Sequence, residues 1–167
     1  ESVSAIAIMS VAPIQADLFA TSNKYIITDL GVMIVTSPDL SWQDIFDVID
    51  SWSDDANHQL IGHDFKNILK DVQMSKFKCK KIDTMLAYYM LESHLGGRFT
   101  IENAIEHYLG HDVSSCKPEE IGALMLSLAP KLLDALTANQ MEDLFYNLEM
   151  PLLSVLKTME DNGVKVD

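Results

Sequence analysis

Val3-Ser-Ala-Ile-Ala-Ile-Met9 is the stretch of sequence that decides the fold. Successive side chains of a β-strand point to opposite faces. Both faces are apolar here. One face has Val3, Ala5, Ala7 and Met9, and the other has Ile6 and Ile8. A strand that is apolar on both faces is covered on both sides, as in a sheet flanked by helices. The stretch therefore predicts a central strand of an α/β domain.

More strands are predicted along the first half of the chain. Residues 14–20 and 25–28 flank a Thr21-Ser22-Asn23 turn, which predicts a hairpin, and residues 32–35 extend the same sheet. Residues 59–61 form a short strand that ends at Gly62. The lysine-rich run at residues 76–81 is interpreted as a solvated strand or loop.

Helical patterns begin after residue 41 and dominate the second half of the chain. Ser41 is a predicted N-cap, and Asp83 is another, just before Thr84. Thr100 caps a further helix that Gly110 closes. Apolar residues at helical spacing between positions 65 and 72 predict one more helix, because that spacing places them on a single face.

Proline positions define the last two helices. Pro118 lies in the first turn of one, and Pro130 is expected to kink or end it. The final helix should be kinked at Pro151 and should end at Gly163. It carries one continuous apolar stripe: Met141, Leu144, Phe145, Leu148, Leu152, Val155, Leu156 and Met159.

The charge balance argues against direct binding of a phosphate backbone. Asp and Glu number 25 against 12 Lys and Arg, which gives a net charge of −13. Nucleic-acid binding depends largely on basic side chains that release counterions. A module that binds single-stranded DNA without cleaving it is therefore a weak interpretation of this chain.

The remaining composition indicates a cytoplasmic protein that avoids membranes. Cys79 and Cys116 lack zinc-ligand spacing and are typical of reduced thiols. No apolar run reaches the roughly 18 residues of a membrane span, and the apolar start has no basic leader. The missing initial Met and the end at Asp167 suggest a piece of a longer protein.

Three stretches of the sequence resemble motifs of one protein family, and they occur in the same order as in that family. Ile82-Asp-Thr-Met-Leu-Ala-Tyr-Tyr-Met-Leu91 is similar to an FDTMLxxYLL motif, and Ile61-Gly-His-Asp-Phe-Lys66 is similar to a GHNLK motif with Asp64 in place of Asn. Residues 149–167, EMPLLSVLKTMEDNGVKVD, are similar to the segment that joins two domains. These are motifs of the 3′–5′ exonuclease domain of bacterial family A DNA polymerases. The chain therefore resembles that domain and its connector.

The resemblance implies an RNase H-like fold, a mixed sheet flanked by helices with a long C-terminal connector helix. Residues 1–137 would form the exonuclease-like domain and residues 138–167 the connector to a polymerase domain beyond Asp167. That polymerase domain of the same chain would be the main partner, with DNA for replication and repair bound through it. Mg²⁺ would be needed there, and no cofactor is expected in this segment.

Active members of the family bind two metal ions about 4 Å apart, which need oxygen ligands. The resemblance places the Asp-x-Glu pair of the first strand on Ala7 and Met9, and the next Asp on Ile68. The Tyr-x-x-x-Asp motif of a late helix falls on Ala123 and Ser127. None of these five residues has a carboxylate, so no catalytic or metal-binding residue is expected here.

Two functions remain open from the sequence. The preferred one is an inactive exonuclease-like domain that acts as a structural platform for the polymerase. The alternative is an active metal-dependent 3′–5′ exonuclease with relocated ligands, for which Asp17, Asp64 and Asp83 are the candidates. The isolated segment is expected to be a monomer or a weak dimer, because the apolar stripe of its last helix would be partly uncovered.

Overall fold

The computed structural model describes residues 3–11, 23–29, 33–36, 41–68, 77–96 and 98–163. Within these ranges, five strands form one sheet in the order β3-β2-β1-β4-β5. The strands are β1 (Ala5–Val11), β2 (Asn23–Thr28), β3 (Met33–Thr36), β4 (Gln59–Gly62) and β5 (Lys80–Asp83). β2 is antiparallel to both β1 and β3, whereas β4 is parallel to both β1 and β5. The prediction of a mixed sheet with a central first strand is confirmed.

Most strand predictions are confirmed, with one outside the described residues. β2 and β3 occur where residues 25–28 and 32–35 predict them. The strand expected at residues 14–20, which would complete the predicted hairpin, lies outside the described ranges, and β2 pairs with β1 and β3. The end of the lysine-rich run forms β5, an edge strand whose lysines at 80 and 81 are more exposed than Ile82 and Asp83.

Helices fill the connections and the second half of the chain. They are α1 (Trp42–Val48), α2 (Asp50–Ser53), α3 (Phe65–Ile68), α4 (Thr84–Glu92), α5 (Ile101–Leu109), α6 (Pro118–Ala138), α7 (Glu142–Leu144) and α8 (Met150–Asn162). Ser41 and Asp44 form a reciprocal capping box at α1. Thr100 caps α5, and Gly110 ends it with φ 65°, a conformation that glycine adopts without steric cost. The predicted caps are therefore confirmed.

Pro130 does not end its helix. α6 runs through it for 21 residues, from Pro118 to Ala138. Pro130 lies on the exposed side of α6, where water can bond the carbonyl that loses its helical partner. The expectation that Pro130 ends the helix is therefore wrong. The predicted domain boundary between residues 137 and 138 falls in the last turn of α6.

Pro151 has a clearer local effect. It lies in the first turn of α8, and the preceding residues Phe145–Glu149 form a π-helical turn. The N–H of Met150 donates to the carbonyl of Phe145, five residues earlier. Because proline lacks an N–H and its ring crowds the carbonyl four residues before it, a wider turn at this point relieves the conflict. Gly163 follows α8 at the predicted end.

α6 is the central helix of the fold. It packs against β1 and β2, and α4 and α5 pack against it. Its buried positions form one face: Gly122, Met125, Leu128, Ala129, Leu132 and Leu136. By length and composition this helix is able to span a membrane, contrary to the expectation that no apolar segment reaches that length. Its packing on the sheet is that of a core helix.

Candidate functional site

The face of β1 that contacts α6 contains Ala7 and Met9. Ala7 is fully buried, and Met9 is 7% exposed. Ala7 lies opposite Ile27 on β2 and Ile61 on β4, and Ile61 lies opposite Ile82 on β5. All four side chains of this row are buried. The centre of the sheet is therefore apolar at the level where the resemblance places the first metal ligand.

α6 approaches this face closely at Gly122. A Cβ atom added there would lie 2.3 Å from Cδ1 of Ile27 and 3.5 Å from Sδ of Met9. Real Cβ atoms do not approach other heavy atoms to 2.3 Å, so a side chain at position 122 would require movement. Glycine is needed here because the helix backbone rests directly on the sheet.

The late-helix positions lie elsewhere on α6. Ala123 and Ser127 are exposed, and the Ser127 hydroxyl donates to the carbonyl of Ala123 at 3.5 Å. The structure thus brings Met9 close to Gly122, whereas Ala123 and Ser127 lie on the exposed side of α6. Ile68 is the last residue of α3, and its side chain is outside the described set.

These positions do not fit a pair of divalent cations. Magnesium and calcium take carboxylate, carbonyl and water oxygens, whereas Ala7 offers no ligand atom and Met9 only a thioether. Among the described residues, no group of three or more His, Cys, Asp or Glu side chains has an arrangement that holds a metal ion. Ala7 and Met9 therefore supply no oxygen ligand for such a pair.

Asp83 forms a polar centre at the carboxyl end of β5. Its buried carboxylate accepts four backbone N–H bonds, from Asp64 at 3.1 Å, Phe65 at 2.8 Å, Met85 at 2.9 Å and Leu86 at 3.2 Å. Two of these donors begin α4 and two precede or begin α3, so one side chain caps both helices. Burial raises its pKa to about 6, although the four bonds act in the opposite direction. The predicted cap is confirmed, but its link to α3 was not predicted.

His63 extends this centre through Thr84. Its Nε2 donates to the carbonyl of Phe99 at 3.0 Å, and its Nδ1 lies 3.0 Å from the hydroxyl of Thr84. That hydroxyl in turn donates to the carbonyl of Gly62 at 3.0 Å. Burial lowers the pKa of His63. These contacts join the end of β4 to α4 and to the segment before α5.

Two of the three alternative ligands are described, and they are neighbours, because the N–H of Asp64 donates to the Asp83 carboxylate at 3.1 Å. Asp17 lies outside the described residues. Asp64 adopts φ 63°; one of its carboxylate oxygens accepts from Asn67, and the other is buried without a protein partner among the described atoms. Asp83 is already satisfied by four N–H groups, which leaves Asp64 as the remaining described candidate.

One polar cluster was missed by the sequence reasoning. Glu92, at the end of α4, accepts a hydrogen bond from the Tyr108 hydroxyl at 2.9 Å. Its carboxylate also lies 3.5 Å from Nε2 of His107 and 3.9 Å from Nε2 of His94. The helix positions of Glu92 and Tyr108 are readable from the sequence, but their contact depends on the packing of α4 against α5.

The fold agrees with two solved structures. One is the POL domain of Pol1 from M. smegmatis in complex with DNA primer-template and dNTP, with a TM-score of 0.70 and 22% identity over 99% of this chain and 30% of that chain. The other is a nuclease in its apo form, with a TM-score of 0.64 and 15% identity over 98% of this chain and 88% of that chain. The protein is thus an α/β domain with an RNase H-like fold.

The sequence comparison finds a relative that is similar to part of this chain. DNA polymerase I of Caldicellulosiruptor bescii is 31% identical over 112 residues, which are 64% of this chain and 13% of that protein. No protein-family model matches the chain. The chain is therefore similar to a segment of DNA polymerase I, and it spans about an eighth of that relative.

Proposed function

We propose that this chain is an inactive 3′–5′ exonuclease-like domain of a DNA polymerase I and acts as a structural platform for DNA synthesis by the parent polymerase. The observation that carries the proposal is the buried apolar row across the sheet at Ala7, with Met9 beside it. The sequence similarity to DNA polymerase I and the fold shared with a nuclease support it.

The missing carboxylate charge is the physical reason for the proposed inactivity. Hydrolysis by two metal ions needs carboxylates that both hold the ions and balance their charge. At the first-strand positions this chain has a methyl group and a thioether, and Gly122 of α6 lies close to that thioether and to Ile27. Nucleotide removal at this face is therefore not expected.

The platform role follows from what the chain retains. Its own buried core includes the sheet, α6 and part of α8, so it can present a fixed surface to a neighbouring domain. In this proposal the parent chain is a cytoplasmic DNA-directed DNA polymerase that binds DNA and Mg²⁺ through its polymerase domain. The segment from residue 138 onwards connects the two domains.

A nuclease assay tests the inactivity. The folded chain, checked by circular dichroism, is incubated with a 3′-labelled single-stranded oligonucleotide and Mg²⁺ or Mn²⁺, beside an active exonuclease as the positive control. We expect no nucleotide release from the chain. Release that a chelator abolishes would overturn the proposal, and its loss in Asp64→Asn would identify a relocated ligand.

Deletion of residues 1–137 from the parent polymerase tests the platform role. We expect the shortened enzyme to lose thermal stability and processivity, because its connector would have no supporting domain. Unchanged stability and processivity would contradict the role as a platform, even with no nuclease activity.

A further inference from the structure

His63 lies where one strand and two helices of the fold meet. It follows Gly62, the last residue of β4. Its ring contacts the side chain of Thr84, the first residue of α4, and the backbone of Phe99, just before α5. Thr84 is fully buried and His63 is partly buried. The ring thus links the sheet to two helices through polar contacts inside the protein.

Three contacts of equal length join these groups, and each needs a proton. Nε2 of His63 lies 3.0 Å from the carbonyl of Phe99, and Nδ1 lies 3.0 Å from the hydroxyl of Thr84. That hydroxyl lies 3.0 Å from the carbonyl of Gly62. A neutral imidazole has one N–H and a threonine has one O–H, so two protons serve three contacts. An imidazolium ion has two N–H groups, and with it every contact has a donor and an acceptor.

The neutral ring leaves the Thr84 hydroxyl with a choice between two acceptors. The carbonyl of Phe99 only accepts, so it keeps the single ring proton on Nε2. Nδ1 then has a lone pair directed at the hydroxyl, which can donate to Nδ1 or to the Gly62 carbonyl but not to both. Nδ1 has one lone pair and a carbonyl has two, so an unbonded Nδ1 loses all of its hydrogen bonding. The neutral ring therefore draws the hydroxyl away from Gly62.

The charged groups around His63 favour the imidazolium, whereas burial opposes it. Burial lowers the pKa of His63, and the bond to the carbonyl before α5 and the charges of Asp64 and Glu102 raise it. Asp64 is the next residue along the chain, and Glu102 lies in the first turn of α5. On β5, Asp83 accepts the N–H of Asp64, and its own pKa is about 6. From α4 the ring meets a neutral hydroxyl. Because burial has the largest effect, the ring takes up its second proton below pH 6.5.

We propose that His63 and Thr84 form a proton-operated clasp, in which a proton on Nδ1 turns the Thr84 hydroxyl to the Gly62 carbonyl and its loss turns the hydroxyl back to the ring. In the closed form the end of β4, the start of α4 and the segment before α5 are joined by three hydrogen bonds. In the open form β4 loses its bond from Thr84, while the bond from Nε2 persists. The clasp is a pH-sensitive device of this fold, and it is independent of any relation to a polymerase.

NMR titration of the folded 167-residue chain, from neutral pH to the onset of acid unfolding, tests the clasp. The 15N shifts of the His63 ring report which nitrogen has a proton, and the 13C shift of the Gly62 carbonyl reports the hydrogen bond that it accepts. We expect a proton on Nε2 alone at neutral pH and on both nitrogens in acid, with a midpoint below 6.5. The Gly62 carbonyl should shift with the same midpoint, and the Phe99 carbonyl should not.

A matched pair of variants tests the hydroxyl. Thr84→Val keeps the shape of the side chain without the hydroxyl, so the Gly62 carbonyl should no longer follow the titration of His63. Thr84→Ser keeps the hydroxyl and should retain the response. His94, whose side chain is 72% exposed, is the internal control, and its titration should leave the Gly62 carbonyl unchanged.

Three kinds of result would overturn the clasp. One is a His63 ring that stays neutral down to acid unfolding, or whose neutral form has its proton on Nδ1. Another is a Gly62 carbonyl that stays constant while His63 titrates, or that responds equally in Thr84→Val. The third is a Gly62 shift that follows the Asp83 carboxyl, whose titration Asp83→Asn removes.

Discussion

Two regions of the sheet differ in whether they can accommodate a buried acidic side chain. At the carboxyl end of β5, the carboxyl group of Asp83 is fully buried, and it accepts hydrogen bonds from four backbone N–H groups at the starts of α3 and α4. In the middle of β1, Ala7 and Met9 are buried among apolar side chains, and the strand's backbone is paired with β2 and β4. Helix N-termini supply free donors, whereas a central strand has none to spare. An acid on the face of β1 would therefore need a cation or another donor beside it.

The largest effect is expected from removal of the carboxylate that caps two helices. Asp83→Ala should lower the free energy of unfolding by about 4–5 kcal/mol, because it leaves four donors at buried or partly buried positions without a partner. Urea denaturation measures the change. Asp134→Ala, at an exposed position of α6, should change stability by less than about 0.5 kcal/mol. A loss below about 1 kcal/mol for Asp83→Ala would contradict the two-helix cap.

Introducing an acid into the first strand should also be strongly destabilising. Met9→Glu places a carboxyl group at a site that is 7% exposed, which should cost about 3–4 kcal/mol without a compensating donor or cation. Chemical denaturation with and without Mg²⁺ measures the cost and any rescue. Ala123→Glu, on the exposed side of α6, is the control. Recovery of the lost stability by Mg²⁺ would show that the face is able to form a metal site.

The raised pKa of Asp83 predicts a pH dependence of stability. Its pKa rises from 3.8 in the unfolded chain to about 6 in the folded one, so the folded state holds the proton more tightly. The resulting stabilisation is complete below pH 3.8 and is lost as the pH rises through about 6. The change is at most about 3 kcal/mol.

The difference in unfolding free energy between the wild type and Asp83→Asn, measured at several pH values, isolates this group from other carboxylates. NMR titration of the Asp83 carboxyl carbon gives its pKa directly. A midpoint below 3.8 would mean that the four N–H bonds outweigh burial, and stability would then rise with pH.

The smallest of these effects concerns the contact between α6 and the sheet. Gly122→Ala should destabilise the protein by about 1–3 kcal/mol, because the new methyl group overlaps Ile27. Thermal or urea denaturation measures it. Ser127→Ala, on the exposed side of the same helix, should leave stability nearly unchanged. A stabilising Gly122→Ala would show that α6 lies farther from β1 than the structure places it.

Much of the fold was readable from local patterns. Alternation on both faces of β1, the caps Ser41, Asp83 and Thr100, and the glycines that follow α5 and α8 were each predicted at their observed places. These features depend on neighbouring residues and on backbone geometry, which sequence spacing reports well. The helix end expected at Pro130 did not occur, because on the exposed side of α6 water can bond the carbonyl that loses its helical partner.

The candidate site was only partly predictable from the sequence. Ala7 and Met9 share a face through the period of two of the strand, and the structure places both beside α6. The approach of Gly122 to Ile27, the bond from Phe65 to Asp83 and the contact of Glu92 with Tyr108 join residues of different elements. Sequence spacing holds no information on how two elements pack together.

By itself, the sequence determined an acidic chain, a strand with two apolar faces, the helix caps and the apolar stripe at the C-terminal end, because each is a property of local order along the chain. Only the tertiary structure decided that Asp83 caps two helices at once and that Gly122 lies on the sheet. It also decided which side of α8 stays uncovered. These features depend on distances between residues far apart in sequence, and those distances are set when the core packs.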